Sequence, residues 1–189
     1  PIFGVSAPRD WGDPDRETEA IVSQAAVVPA PWERILQVKG REAGEFLQAM
    51  LTQDVARLDA GACVPAALAD RKGHFVADLW VLRADSWYIR VRSDRMAAVM
   101  GVFEQHRIAE DVRWREVDYA RHLLLVGPDA ARFMDGAVEA AGRQGTPIHG
   151  TVLADGSLWM RVRETRFSPC PGDGQDEFLL AFTTGTPAV

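Results

Sequence analysis

His74-Phe75-Val76-Ala77-Asp78-Leu79-Trp80-Val81-Leu82-Arg83, then Ala84-Asp85-Ser86, then Trp87-Tyr88-Ile89-Arg90-Val91-Arg92 is the stretch on which the fold turns. Side chains of a strand alternate between two faces, so the first run places Phe75, Ala77, Leu79 and Val81 together and sets His74, Val76, Asp78, Trp80 and Leu82 on the other side. With Ala84 to Ser86 as the loop of a hairpin, Arg83 faces Trp87. Counting back from that pair puts Asp78 opposite Arg92. Trp87, Ile89 and Val91 then extend the apolar face, while Tyr88, Arg90 and Arg92 share the face of Asp78.

Working outward, Cys63 to Ala69 reads as a strand and Asp70-Arg71-Lys72-Gly73 as a turn, which makes three antiparallel strands in a row. Upstream, Ala43, Phe46, Leu47, Met50 and Leu51 recur at helical spacing, following a short strand from Arg34 to Val38 that Gly40 breaks. Asp13 followed by Pro14 opens a first helix, expected to reach Ala25 before Pro29 and Pro31. Downstream, Met96, Val99, Met100 and Phe103 mark a helix from Arg95 to Gln105, with His106 placed to complement its dipole. Strands are expected at Val112 to Val117 and His122 to Val126, and a helix from Ala130 to Ala141. Further strands are expected at Thr151 to Leu153, Leu158 to Arg163 and Phe178 to Phe182. The expected class is α+β, with mixed, mainly antiparallel sheets and helices packed on them. Residues 1–30 form an arm and helix, 31–145 the central region, and 146–189 a β-rich segment continuing the same fold.

The chain has 189 residues, 47% of them hydrophobic and 25% charged, which suits a folded domain with a substantial core. A net charge of −6 and a pI near 5.2 oppose binding to nucleic acid or an anionic membrane. Apolar runs fall short of the roughly 20 residues of a membrane helix, and the expected location is cytoplasmic. Cys63 and Cys170 lack metal-ligand spacing and fit free thiols or one disulfide. His74, His106, His122 and His149 show no H-E-x-x-H pattern, so no metal site is expected. Nucleophile-elbow, Walker and dinucleotide motifs are missing from the sequence too.

Asp78 is the residue that needs a reason, because it sits between Val76 and Trp80 on a half-apolar strand face. Apolar neighbours disfavour the charged form of a carboxylate, whereas a nearby guanidinium favours it and fills its acceptor positions. The pattern suits a cross-strand salt bridge worth at most about 1 kcal/mol at the surface. It equally suits a pocket floor for a flat nitrogen heterocycle with an anionic tail: Asp78 beside Trp80 and Tyr88 accepting ring N–H groups, and Arg90 and Arg92 taking carboxylates.

Val38-Lys39-Gly40-Arg41-Glu42-Ala43, Phe46-Leu47-Gln48, Leu51-Thr52-Gln53-Asp54-Val55, Ala69-Asp70-Arg71-Lys72-Gly73, Ala77-Asp78-Leu79 and Gly127-Pro128-Asp129-Ala130 follow one another along the chain. In that order they resemble the glycine-cleavage T-protein (aminomethyltransferase) superfamily. The resemblance implies a small-molecule folate partner, with tetrahydrofolate as cofactor and Asp78 as the catalytic or pterin-binding aspartate. It adds Thr52 and Glu177 to Trp80, Tyr88, Arg90 and Arg92 as cofactor-binding candidates, Glu177 through the segment Gly172 to Phe178. It also implies further domains or a partner subunit completing the pocket. Arg92, where aminomethyltransferases usually carry Asn, looks more like the branch that supports iron–sulfur cluster assembly, although that branch's K-G-C signature is missing here. Three roles remain open: folate binding in iron–sulfur or one-carbon metabolism, aminomethyl or methyl transfer, and a scaffold that kept the fold without the pocket.

Overall fold

A computed structural model of the chain describes residues 3–8, 10–140, 149–153, 155–162 and 177–183. The β4 (Phe75–Arg83) and β5 (Trp87–Arg92) hairpin lies in the middle of one sheet, ordered β3-β4-β5-β2-β6, with β3 at Cys63–Ala69, β2 at Glu33–Lys39 and β6 at Arg113–Val117. The second sheet is ordered β1-β7-β10-β9-β8. It draws on Ala26–Pro29 (β1), Arg121–Val126 (β7), Gly150–Val152 (β8), Leu158–Val162 (β9) and Glu177–Phe182 (β10). All pairings between these strands are antiparallel, and with the four helices described the fold is α+β.

Layering results from alternation. Ala77, Leu79, Val81, Ile89 and Val91 turn to one side of the first sheet, where α2 (Ala43–Met50) and α3 (Met96–His106) cover them with Phe46, Leu47, Val99 and Phe103. Full burial of side chains of this size stabilises by about 1.5–3 kcal/mol each. The opposite side, bearing Ile35, Cys63, Leu82 and Tyr88, packs on Leu158, Met160, Val162, Leu179 and Ala181 of the second sheet. Ala130 and Met134 of α4 (Ala130–Ala140) cover that sheet's far side against Trp159 and Phe178. The order is helices, sheet, sheet, helix.

Two positions show how tightly the layers are set. Gly40 ends β2 at φ +131°, and a Cβ there would run into the backbone of Asp111 and Val112. At Gly150 a Cβ would lie 2.7 Å from a Leu82 methyl and 2.9 Å from the Trp159 carbonyl, so a bare backbone lets β8 approach the first sheet.

Two expectations are corrected. The first helix, α1 (Pro14–Ser23), begins as expected on Asp13, whose carboxylate accepts from the Arg16 N–H, but stops before Ala25. The chain then enters the edge strand β1, whose Val27 and Val28 pair with Leu125 and Leu124 of β7. Phe75 does not join the core face and is 64% exposed. The β3–β4 register shifts between Leu68 and Ala69, so that Ala69 opposes Phe75 while Leu68 opposes Ala77, and the irregularity turns Phe75 out to solvent. Cys170, residues 172–176 and the expected end of the fourth helix at Ala141 lie outside the described residues. Among the described helices none is long and apolar enough to cross a membrane.

Candidate functional site

The hairpin register pairs Arg83 with Trp87, Leu82 with Tyr88, and Trp80 with Arg90. Two residues further along, Asp78 Oδ1 stands 4.0 Å from Arg92 Nη1, with the Asp78 side chain 64% exposed and that of Arg92 27% exposed. The pair counted from the sequence is therefore in place, at ion-pair and not hydrogen-bond distance. On its other side Asp78 faces Ala67 of β3. Thr52, just beyond α2, clasps this outer strand: its N–H donates to the Ala67 carbonyl (3.1 Å) and its hydroxyl accepts the Ala67 N–H (2.9 Å). Thr52 thus fixes the backbone next to Asp78.

The remaining candidates divide. Trp80 is half-buried, its ring against the inter-sheet core, and it neighbours Asp78 along that face. Arg90 is held by Glu33, which is 1% exposed and accepts Arg90 Nη2 at 2.6 Å and Nε at 2.7 Å. Such a two-pronged contact occupies a guanidinium's best carboxylate-binding edge. Tyr88 is buried under the second sheet, and its hydroxyl accepts from Gln37 Nε2 at 2.7 Å. Four strand positions separate Tyr88 from the level of Arg92, about 13 Å. The structure therefore brings Asp78, Trp80 and Arg92 together, sets Thr52 and Arg90 beside them in supporting contacts, and places Tyr88 in the core. Glu177 starts β10 opposite Val162, on the same side of the strand as Leu179 and Ala181 that pack on the first sheet.

Three participants escaped the sequence reading. Glu33 lies one residue before the strand start inferred at Arg34, yet it opens β2 and faces Arg92 across the ladder. Asp94 accepts Arg92 Nε at 3.2 Å and Nη2 at 3.5 Å. Phe3 of the arm lies under the same guanidinium, 4.2 Å from ring centroid to Cζ. An acid two residues after Arg92 was a signal of sorts; the Phe3 contact had none.

Elsewhere, burial decides the chemistry of two groups. It pushes the Cys63 thiol up to about 12, opposed weakly by the charge of Arg90, so this cysteine is not a nucleophile. His122 is held down to about 4, mainly by burial and then by the Arg34 charge, and among the described residues its Nε2 has no hydrogen-bond partner. No group of three or more metal-binding side chains forms among the described residues.

The chain belongs to the GCVT N-terminal domain family, which matches residues 7–154 and so takes in the whole β3–β5 meander. It is 28% identical over 134 residues to the aminomethyltransferase of Bacillus pumilus (strain SAFR-032), a match spanning 69% of this chain and 37% of that protein. In fold it is similar to the crystal structure of glycine cleavage system aminomethyltransferase T from Bartonella henselae. That likeness has a TM-score of 0.71 at 21% identity and covers 89% of this chain and 44% of the other. The chain spans less than half the length of either relative.

Proposed function

We propose that this chain contributes the Asp78 side of a tetrahydrofolate site in a protein of the aminomethyltransferase kind. The observation that carries the proposal is the juxtaposition of an exposed carboxylate, a half-buried indole and a guanidinium at Asp78, Trp80 and Arg92. Those groups fit a reduced folate: a carboxylate accepts from the amino and ring N–H groups of its pterin, an indole offers an apolar flank, and the charge of a guanidinium suits its anionic tail. Reduced folate, when bound, would supply one-carbon carriage at its nitrogens. The part of this chain is to bind and orient it through Asp78, with the charge of Arg92 alongside, next to the outer strand β3 that Thr52 pins at Ala67. Arg90, paired with Glu33, supports the strand behind Trp80, and Tyr88 fixes the sheet packing under it. Glu177 is assigned to the ligand from the second sheet, and residues beyond this chain complete the pocket.

Within that reading, the role lies in iron–sulfur cluster assembly or one-carbon metabolism. Arg92 in place of the usual Asn argues for binding over transfer. Aminomethyl transfer is the second reading, favoured by the names of both relatives. There Asp78 orients the substrate amine and accepts a proton at the folate nitrogen. Calorimetry with 5-formyltetrahydrofolate tests the proposal. Wild type is expected to bind, and Asp78→Ala to bind at least about tenfold more weakly, the loss of a hydrogen bond to a charged acceptor. Equal affinities would remove Asp78 from the site, and no heat from wild type would favour a scaffold that lost the pocket. Turnover of an aminomethylated donor then separates transferase from binder.

A further inference from the structure

Three groups compete for the Arg92 guanidinium. Asp94 holds it by hydrogen bonds at 3.2 and 3.5 Å, the Phe3 ring covers one face at 4.2 Å, and Asp78 stands off at 4.0 Å. Among the described residues the Asp78 carboxylate accepts no hydrogen bond. Two acids could pair with one arginine, and the fold has chosen the one outside the strand.

The choice is built into the backbone. The Ser93 N–H donates to the Trp32 carbonyl at 2.7 Å, and the Arg95 N–H donates to the Arg92 carbonyl at 2.9 Å, closing a turn that carries Asp94. The Ser93 hydroxyl donates to the Phe3 carbonyl at 2.8 Å and so ties the arm to that turn. The Phe3 ring also meets Trp32 edge-on at 6.4 Å. Asp94 is 3.8 Å from Arg95 as well, so a second cation steadies it.

We infer that Asp94, assisted by Phe3, is a positioning residue that holds Arg92 off Asp78 and so reserves the Asp78 carboxylate for the N–H donors of a ligand. The ligand named is the reduced pterin of the proposed function, on which this inference rests. If Arg92 closed onto Asp78, a ligand would have to break that pair before binding. Arg92 held at about 4 Å still contributes its charge without filling the acceptor positions.

The test compares Asp94→Ala and Asp94→Glu with wild type by crystal structure and by calorimetry with 5-formyltetrahydrofolate. In Asp94→Ala, Arg92 should move to within about 3 Å of an Asp78 oxygen. Affinity should fall about two- to fivefold, the effect of one competing exposed ion pair. Asp94→Glu keeps a carboxylate and should restore both wild-type geometry and affinity. An Arg92 that stays clear of Asp78 in Asp94→Ala overturns the inference. So does equal weakening in both variants, which would mark Asp94 as a structural residue of the turn. Should wild type bind no folate, the proposed function fails, and the Arg92–Asp78 distance in Asp94→Ala still decides the positioning claim.

Discussion

Replacing Glu33 by alanine removes the carboxylate from the most buried ion pair of the first sheet. Glu33 is 1% and Arg90 12% exposed, and two contacts at 2.6 and 2.7 Å join them. The position is not a surface pair worth a few tenths of a kcal/mol, because both side chains are held inside the sheet. Removing one partner of a buried pair costs about 3–5 kcal/mol. For a domain of this size each kcal/mol corresponds to roughly 2–4 °C in Tm, so Glu33→Ala should melt about 6–20 °C below wild type. Scanning calorimetry or urea denaturation measures this. The same physics says that the pair gains little over apolar packing, so Glu33→Met with Arg90→Met should recover part of the loss. A Glu33→Ala variant within about 1 kcal/mol of wild type, or a double variant no more stable than the single one, would show that this pair is not a buried one in energetic terms.

Two further outcomes rest on single residues. His122 titrates near 4 in the folded chain against an ordinary value of 6.5 because burial disfavours its charge. Between those values the unfolded chain binds the extra proton, so stability falls as pH drops from about 6.5 to 4, by up to about 3 kcal/mol, and is unaffected by this group above that range. Urea denaturation across about pH 4.5–7 should show that loss for wild type, and His122→Gln should show a shallower one; parallel curves would contradict the assignment. Gly40→Ala must take φ +131° and meet the Asp111 backbone, so it should destabilise by about 3 kcal/mol or more, or fail to fold. A melting temperature within a few degrees of wild type would show that the β2–α2 turn can relax.

Much of the first sheet was legible in the sequence because its order is local. Short turns join β3, β4 and β5, and a loop of known length fixes hairpin register, which is why counting from Arg83 and Trp87 arrived at Asp78 beside Arg92. The second sheet was less legible as a partner than as strands. Its members come from 26–29, 121–126 and 150–182, and local alternation cannot say that they stack on the face bearing Tyr88 and Trp80. That face therefore read as one mixed surface, whereas its Leu82 and Tyr88 end is core and its Asp78 end is open. β1 was hidden because a four-residue edge strand closed by Pro29 looks like the break after a helix. Phe75 misled because alternation carries no trace of a bulge. Phe3 lies far from Arg92 in the chain, and no periodicity connects them.

An NMR titration of the wild-type chain with 5-formyltetrahydrofolate tests the central claim most directly, because it reports where a ligand sits as well as whether it binds. Saturable shifts are expected in the backbone amides from Ala77 to Trp80 and from Arg92 to Asp94 and in the Trp80 indole N–H, with β6 and α4 unmoved. Shifts confined to other surfaces, or none at all, would contradict a folate site built on Asp78.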